Sequence, residues 1–208
     1  MRQIFNTFCH TLNIFSYFFS GIEDTLAKNK NIVIGITGGI SAYKACGLVS
    51  YLKSEGANVY VIMTKNACNF ITPLTLETLS SHEVVVDMFK EKSYVDVKHI
   101  SLAKMADLFL IVPASANIIG KVANGIADDM LSTTIMATTA PVIFAPAMNT
   151  NMYKNPIVQG NIRKLREYNY LFIEPDKGML ACGDIGSGKL PSTKDIVEST
   201  KKLVKERI

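Results

Sequence analysis

Residues 31–39 read Asn-Ile-Val-Ile-Gly-Ile-Thr-Gly-Gly, and this stretch decides the fold. An unbroken apolar run of this length, with no polar alternation, suits a strand covered on both faces, as in parallel sheets. Gly38 and Gly39 turn the chain, and Ser41 is placed to cap a helix that runs to about Glu55 and ends at Gly56. The alternation then repeats. Strands are expected at 58–63, 83–86, 107–112, 141–145 and 170–174. Helices are expected at 73–80, 101–105 (beginning near His99), 116–124, 129–138, 156–168 and 193–205. Pro113 and Pro146 are expected to stop the fourth and fifth strands, and 178–188 to form a Gly-rich loop. Strands alternating with helices predict one α/β domain, Rossmann-like (flavodoxin-like), with a six-stranded mostly parallel sheet covered by helices on both faces.

The chain has 208 residues, 48% hydrophobic and 19% charged, enough to bury a core and too apolar for a disordered chain. A net charge of +4 fits an anionic small ligand and is too weak to argue for nucleic acid. Cys9, Cys46, Cys68 and Cys182 form no CxxC pair, which excludes a zinc ribbon or thioredoxin-type motif and fits scattered cytoplasmic thiols.

Residues 3–22 carry no Asp, Glu, Lys or Arg, but Gln3, Asn6, Thr7, His10, Thr11 and Asn13 interrupt the apolar character. A membrane span or signal peptide is therefore not expected. Residues 1–30 read as an extension that packs on the domain or a partner subunit, or as the product of an upstream start codon, and 31–208 as the domain.

In open parallel sheets ligands sit beyond the carboxyl ends of the strands. Here those ends are Thr37-Gly38-Gly39, Met63-Thr64, Pro113-Ala114-Ser115-Ala116-Asn117 and Pro146-Ala147-Met148-Asn149. Such small, hydroxyl-bearing and amide-bearing residues suit a flat polar ring and a phosphate better than a metal. Two phosphate motifs nearly match. The turn at Gly38-Gly39 lacks GxGxxG spacing and has no acidic residue closing the second strand, so dinucleotide binding is not indicated; its helix N-terminus can still hold a phosphate. Residues 183–189 spell GxxxxGK, but Leu190 stands where a P-loop needs Ser or Thr, and Pro191 follows. Asp128 and Asp129, adjacent on a helix and so roughly 100° apart, suit a helix N-terminus better than a shared metal. His82 reads as a surface loop residue.

Several segments together carry a resemblance: GITGGISAYK at 35–44, His99 before a short helix, PASAN at 113–117, GIADD at 125–129, PAMNTNMY at 146–153 and LACGDIGSGK at 180–189. Across about residues 31–200 the sequence resembles the homo-oligomeric flavin-containing cysteine decarboxylases. Among these it looks most like those acting on 4'-phosphopantothenoylcysteine in coenzyme A synthesis. The resemblance implies FMN at a subunit interface of a homotrimer or an assembly of trimers, in the cytoplasm, with no nucleic acid, membrane or metal involved. It places Gly38, Gly39 and Ser41 at the FMN phosphate, with Thr64 and Phe70 nearby. Ser115, Ala116, Asn117 and Ile118 would line the flavin, and Ala147 and Met148 would complete its pocket. Asn149, Met152, Ala181 and Lys189 would contact substrate. His99, Asn117 and Cys182 would be catalytic.

The implied chemistry explains these residue types. The substrate's cysteine amine is acylated and cannot form a Schiff base, so direct loss of CO2 leaves a carbanion without an electron sink. Oxidation of the carbon bearing the thiol to a thioaldehyde, with hydride passing to the flavin, creates that sink. Asn117 and Asn149 can hold carboxylate and amide without adding charge, and His99 can manage a proton near neutral pH. Cys182 would protonate the enethiolate left after CO2 departs; family members that act on peptide C-terminal cysteines stop before that step. Ile118, Tyr153 and Lys189 depart from the family's threonine, tryptophan and arginine. Lysine keeps the charge but loses the bidentate fork. The alternatives are a decarboxylase of peptide C-terminal cysteines, a flavin prenyltransferase and a non-catalytic regulatory FMN-binding protein. The substrate would be made by a separate polypeptide, unless this chain is part of a longer one.

Overall fold

A computed structural model describes residues 27–89 and 97–205. The sheet-forming strands are β1 (Asn31–Ile36), β2 (Asn58–Met63), β3 (Val84–Val85), β4 (Leu108–Ala114), β5 (Val142–Pro146) and β6 (Leu171–Phe172). They pair in the order β3-β2-β1-β4-β5-β6, every pair parallel. This is the doubly wound order, with its switch point between β1 and β4. The helices are α1 (Ala45–Ser54), α2 (Pro73–Ser80), α3 (Lys98–Met105), α4 (Ala116–Ala123), α5 (Met130–Ala137), α6 (Thr150–Lys154), α7 (Pro156–Glu167) and α8 (Thr193–Lys205).

Alternation along the central strands sorts the core into two layers. Ile32, Ile34 and Ile36 of β1, with Leu108, Leu110 and Val112 of β4, face α1, α2 and α8; Leu48, Leu52, Leu76 and Ile196 cover them. Val33, Phe109 and Ile111 face the opposite way, under Leu102, Ile119, Leu131, Ile135, Ile162 and Leu165 of α3, α4, α5 and α7. Covering both faces is why β1 and β4 read as unbroken apolar runs. Each buried Leu or Ile contributes roughly 1.5–3 kcal/mol. Ala27 already belongs to this core at 2% exposure.

Several local expectations are corrected. Ser41 caps no helix. Gly39 occupies the cap position without a side-chain bond, and the chain enters α1 through a 3-10 turn over Ile40–Lys44. Pro113 does not stop β4, which runs on to Ala114, whereas β5 ends at Pro146 as expected. The β4–β5 register shifts between Ile111 and Ala114, and this irregularity absorbs the amide hydrogen that Pro113 lacks. Strand β6 spans two residues only. The expected loop at 178–188 is an antiparallel hairpin, β7 (Asp176–Met179) with β8 (Ile185–Lys189). His82 is half-buried: its ring lies 4.2 Å from that of Tyr60, and Nδ1 is 3.0 Å from the Val59 carbonyl oxygen. The expectations for residues 1–26, His10 and Cys9 among them, lie outside the described residues.

Candidate active site

Two adjoining clefts open beyond the carboxyl ends of β1, β4 and β5, with volumes of about 590 Å³ and about 540 Å³. Thr37, Gly38, Ser115, Ala116 and Met152 line both. The floor between them is tied by one buried hydroxyl. Thr37 Oγ1 donates to the Pro113 carbonyl (2.7 Å) and accepts from the Ser115 N–H (2.9 Å). Ser115 in turn caps α4, its Oγ accepting from the Ile118 N–H at 3.4 Å. Thr37 thus holds the ends of β1 and β4 in one register. The sequence marks Thr37 as a strand end, a lone hydroxyl closing an apolar run, but not this bracing role.

The two glycines after β1 do different work. A Cβ on Gly38 would lie 2.6 Å from Asn66 Cβ and 3.1 Å from the Asn66 carbonyl carbon, so glycine lets the turns after β1 and β2 close on one another. Gly39 has open space around its Cβ position. It leaves bare backbone on the cleft, where the helical stretch through Ile40–Lys44 and α1 begins. Unpaired N–H groups at such a start suit a phosphate.

The first cleft gathers Gly38, Gly39, Ser41, Ser115, Ala116, Ala147 and Met148, with Asn149, Met152, Ala181, Cys182 and Lys189. The second gathers Thr64, Asn117 and Ile118. Each cleft combines small residues and bare backbone with an amide side chain, a lining that fits a flat polar ring system bearing a phosphate. Among the described residues, no group of three or more His, Cys, Asp or Glu is placed to hold a metal ion. Phe70 and His99 line neither cleft. Phe70 is exposed, and His99 stands half-buried near the start of α3.

The β7–β8 hairpin roofs the first cleft. The Met148 N–H donates to the Gly188 carbonyl (3.0 Å), and Lys44 Nζ donates to the Leu190 carbonyl (3.2 Å). Gly188 takes φ +130°, and a Cβ there would lie 2.1 Å from the Met148 carbonyl oxygen; one on Gly186 would lie 2.3 Å from Thr150 Oγ1. Only glycines at these positions let the hairpin seat on the loop after β5. Seated there, Cys182 Sγ lies 3.6 Å from Asn149 Nδ2. Asn149 also caps α6, its Oδ1 accepting from the Asn151 N–H (2.8 Å), which fixes its amide group's orientation.

Two further networks brace the rim. Tyr153 donates through its hydroxyl to Glu174 (2.7 Å), which also pairs with Arg166. Burial, followed by the Glu174 hydrogen bond, pushes the Tyr153 hydroxyl up to about 12. Lys121 pairs with Asp128 (2.6 Å) and Asp129 (2.8 Å), and Asp129 forms a capping box with Ser132 at the start of α5. Burial pushes the Asp129 carboxyl up, but its bonds to Lys121 and Ser132 outweigh this and hold it below the usual range.

A doubly wound sheet whose strand ends combine a glycine turn, capped helix starts and amides lining the clefts defines a protein that binds a phosphorylated ring cofactor. The chain belongs to the Flavoprotein family, whose model matches residues 20–205. It is 52% identical over 177 residues to the coenzyme A biosynthesis bifunctional protein CoaBC of Bacillus subtilis, covering 85% of this chain and 44% of that one. It thus spans less than half the length of that bifunctional relative. It is 45% identical over 171 residues to a probable phosphopantothenoylcysteine decarboxylase of Streptococcus mutans, covering 81% of this chain and 96% of that one. Among solved structures, a PPC decarboxylase mutant complexed with pantothenoylaminoethenethiol superposes with a TM-score of 0.75 at 32% identity, covering 86% of this chain and all of the other.

Proposed function

We propose that the protein is an FMN-dependent decarboxylase that converts 4'-phosphopantothenoylcysteine to 4'-phosphopantetheine in coenzyme A synthesis. The observation that carries this reading is Cys182 held by the hairpin 3.6 Å from Asn149, over a cleft with a bare glycine turn. The described domain supplies the catalytic unit, and the setting is cytoplasmic; among the described residues no helix is long and apolar enough to cross a membrane.

Gly38, Gly39 and Ser41 would hold the FMN phosphate at the helix start, and Ser115, Ala116, Asn117, Ala147 and Met148 would hold its ring. Bound FMN supplies the electron-pair acceptor and donor for a reaction that is redox-neutral overall: the acylated cysteine takes up one proton and loses CO2. Asn149 would orient the substrate through its neutral amide, whose Nδ2 meets Cys182 and Asp184 in the chain by itself. Met152 and Ala181 close apolar contact around the reacting carbons, and Lys189 offers a cation. Cys182 brings an S–H to the carbon that CO2 leaves. His99, outside both clefts of a single chain, supports a homotrimer, or an assembly of trimers, in which the α3 face of one copy completes the cleft of the next. Exposed Ile40 and Met152 at the rim fit such a boundary.

The test is purification, an absorption spectrum and incubation with phosphopantothenoylcysteine, beside a peptide ending in cysteine. A yellow protein that releases CO2 and forms phosphopantetheine is expected, with a mass in solution of at least three chains. A protein that cannot be loaded with FMN, or that acts on the peptide alone, overturns the reading.

A further inference from the structure

The hairpin brings a third side chain to Cys182 and Asn149. Asp184 Oδ2 lies 3.3 Å from Cys182 Sγ and 3.3 Å from Asn149 Nδ2. The thiol donates to the carboxylate, and so does the amide. The first contact lies within the hairpin tip; the second crosses to the loop after β5, 35 residues away in sequence. The carboxylate is not needed to build the tip. The tip closes through main-chain bonds, from the Leu180 N–H to the Asp184 carbonyl (2.8 Å) and from the Gly183 N–H to the Leu180 carbonyl (2.9 Å).

We propose that Asp184 is a positioning residue for Cys182: it ties the thiol to Asn149 and presents it as S–H in the second half of the reaction. The inference rests on the function proposed above. In that half, the carbon that lost CO2 accepts the Cys182 proton. The S–H bond breaks, a C–H bond forms, and the electron pair removed in the oxidation returns to the adjacent carbon. The thiolate left on Cys182 regains its proton from water. Bonded to Asp184 and Asn149, the Cys182 sulfur is held in one place for that transfer. Asn149, its Oδ1 occupied by the Asn151 N–H, can turn only N–H groups toward the pair. It therefore anchors Asp184 and Cys182 together at the place where substrate is oriented.

The experiment has two readouts. First, iodoacetamide labelling of each cysteine is followed by peptide mass spectrometry at pH 7.5 in wild type, Asp184→Ala and Asp184→Asn. Cys182 is expected to label several-fold faster in both variants. Cys46 and Cys68, whose thiols burial pushes up, are expected to label at unchanged rates and so report that the fold is intact. Equal Cys182 rates in all three proteins overturn the tie. Second, anaerobic single turnover with phosphopantothenoylcysteine separates flavin bleaching from the return of colour. The ratio of the second rate to the first is expected to fall at least tenfold in Asp184→Ala, with enethiol accumulating; Asp184→Asn, which keeps an acceptor but no charge, should fall between. Slowing of both halves in proportion overturns the assignment, because a merely structural defect would do that. If wild type leaves the flavin unbleached, the proposed function fails, and the Asp184 tie is judged on the labelling alone.

Discussion

The floor of the site and its roof are built on opposite terms. The floor is the ends of β1 and β4, whose side chains are buried on both faces of the sheet and whose polar groups are bonded through Thr37. The roof is a two-stranded hairpin, mostly exposed, seated by the Met148–Gly188 main-chain bond and two close glycine contacts. More apolar burial therefore lies in the floor than in the roof. An isolated hairpin has little stability of its own, which under the proposed function would suit an element that covers bound substrate.

The contrast can be broken from the floor upward. Leu110→Ala, in the middle of β4, should cost about 2–5 kcal/mol through lost burial and the cavity left behind, read by urea denaturation. Gly38→Ala should cost about 1–3 kcal/mol, because the added methyl meets Asn66. The same variant should weaken FMN binding, read by fluorescence titration. A Gly38→Ala protein of unchanged stability would contradict the packing described between the two turns.

At the rim, Asp129→Ala should remove a helix cap worth about 0.5–2 kcal/mol. The Asp129 carboxyl is held below its ordinary value of 3.8 in the folded protein. Its contribution is therefore full above that value and lost as pH falls through the folded one. The variant should lose this acid-side component of the wild-type stability curve. Tyr153 works with the opposite sign. Its hydroxyl is pushed from 10.0 to about 12, so above pH 10 the unfolded chain gives up a proton that the folded chain keeps. Stability should fall as pH rises through that window, and the component should vanish in Tyr153→Phe, as thermal melts at pH 9, 10 and 11 would show.

The smallest stability effect belongs to the roof. Gly188→Ala cannot seat against the Met148 carbonyl and places a side chain at φ +130°. The melting temperature should move by only a few degrees, while turnover falls more than tenfold and Cys182 labels faster. A large drop in melting temperature would show that the hairpin is part of the stable core.

Much of this was legible in the sequence, for reasons that differ between floor and roof. The apolar runs of β1, β2, β4 and β5 announced a sheet covered on both faces, because burial leaves no room for polar alternation. The residues at their ends, Gly39, Ser115, Asn117 and Asn149 among them, marked the cleft, because in such sheets a crevice opens beyond the carboxyl ends where the strand order reverses. Ser41 misled because hydroxyls usually cap helices, whereas here the chain enters through a 3-10 turn. Pro113 misled because a register shift let the strand continue past it. The stretch 178–188 looked like a loop because its glycines carry no strand propensity; they serve as docking points, visible only once the loop after β5 lies against them.

By itself, then, the sequence determined the layer architecture, the strand ends and the residue types offered to a ligand, since local periodicity and composition encode which faces must be buried. Tertiary structure alone decided that Thr37 joins two strand ends, that Cys182 and Asp184 meet Asn149, and that His99 stands outside the clefts of its own chain. Those are distances between segments far apart in sequence, set by how buried faces pack, and no local pattern carries them.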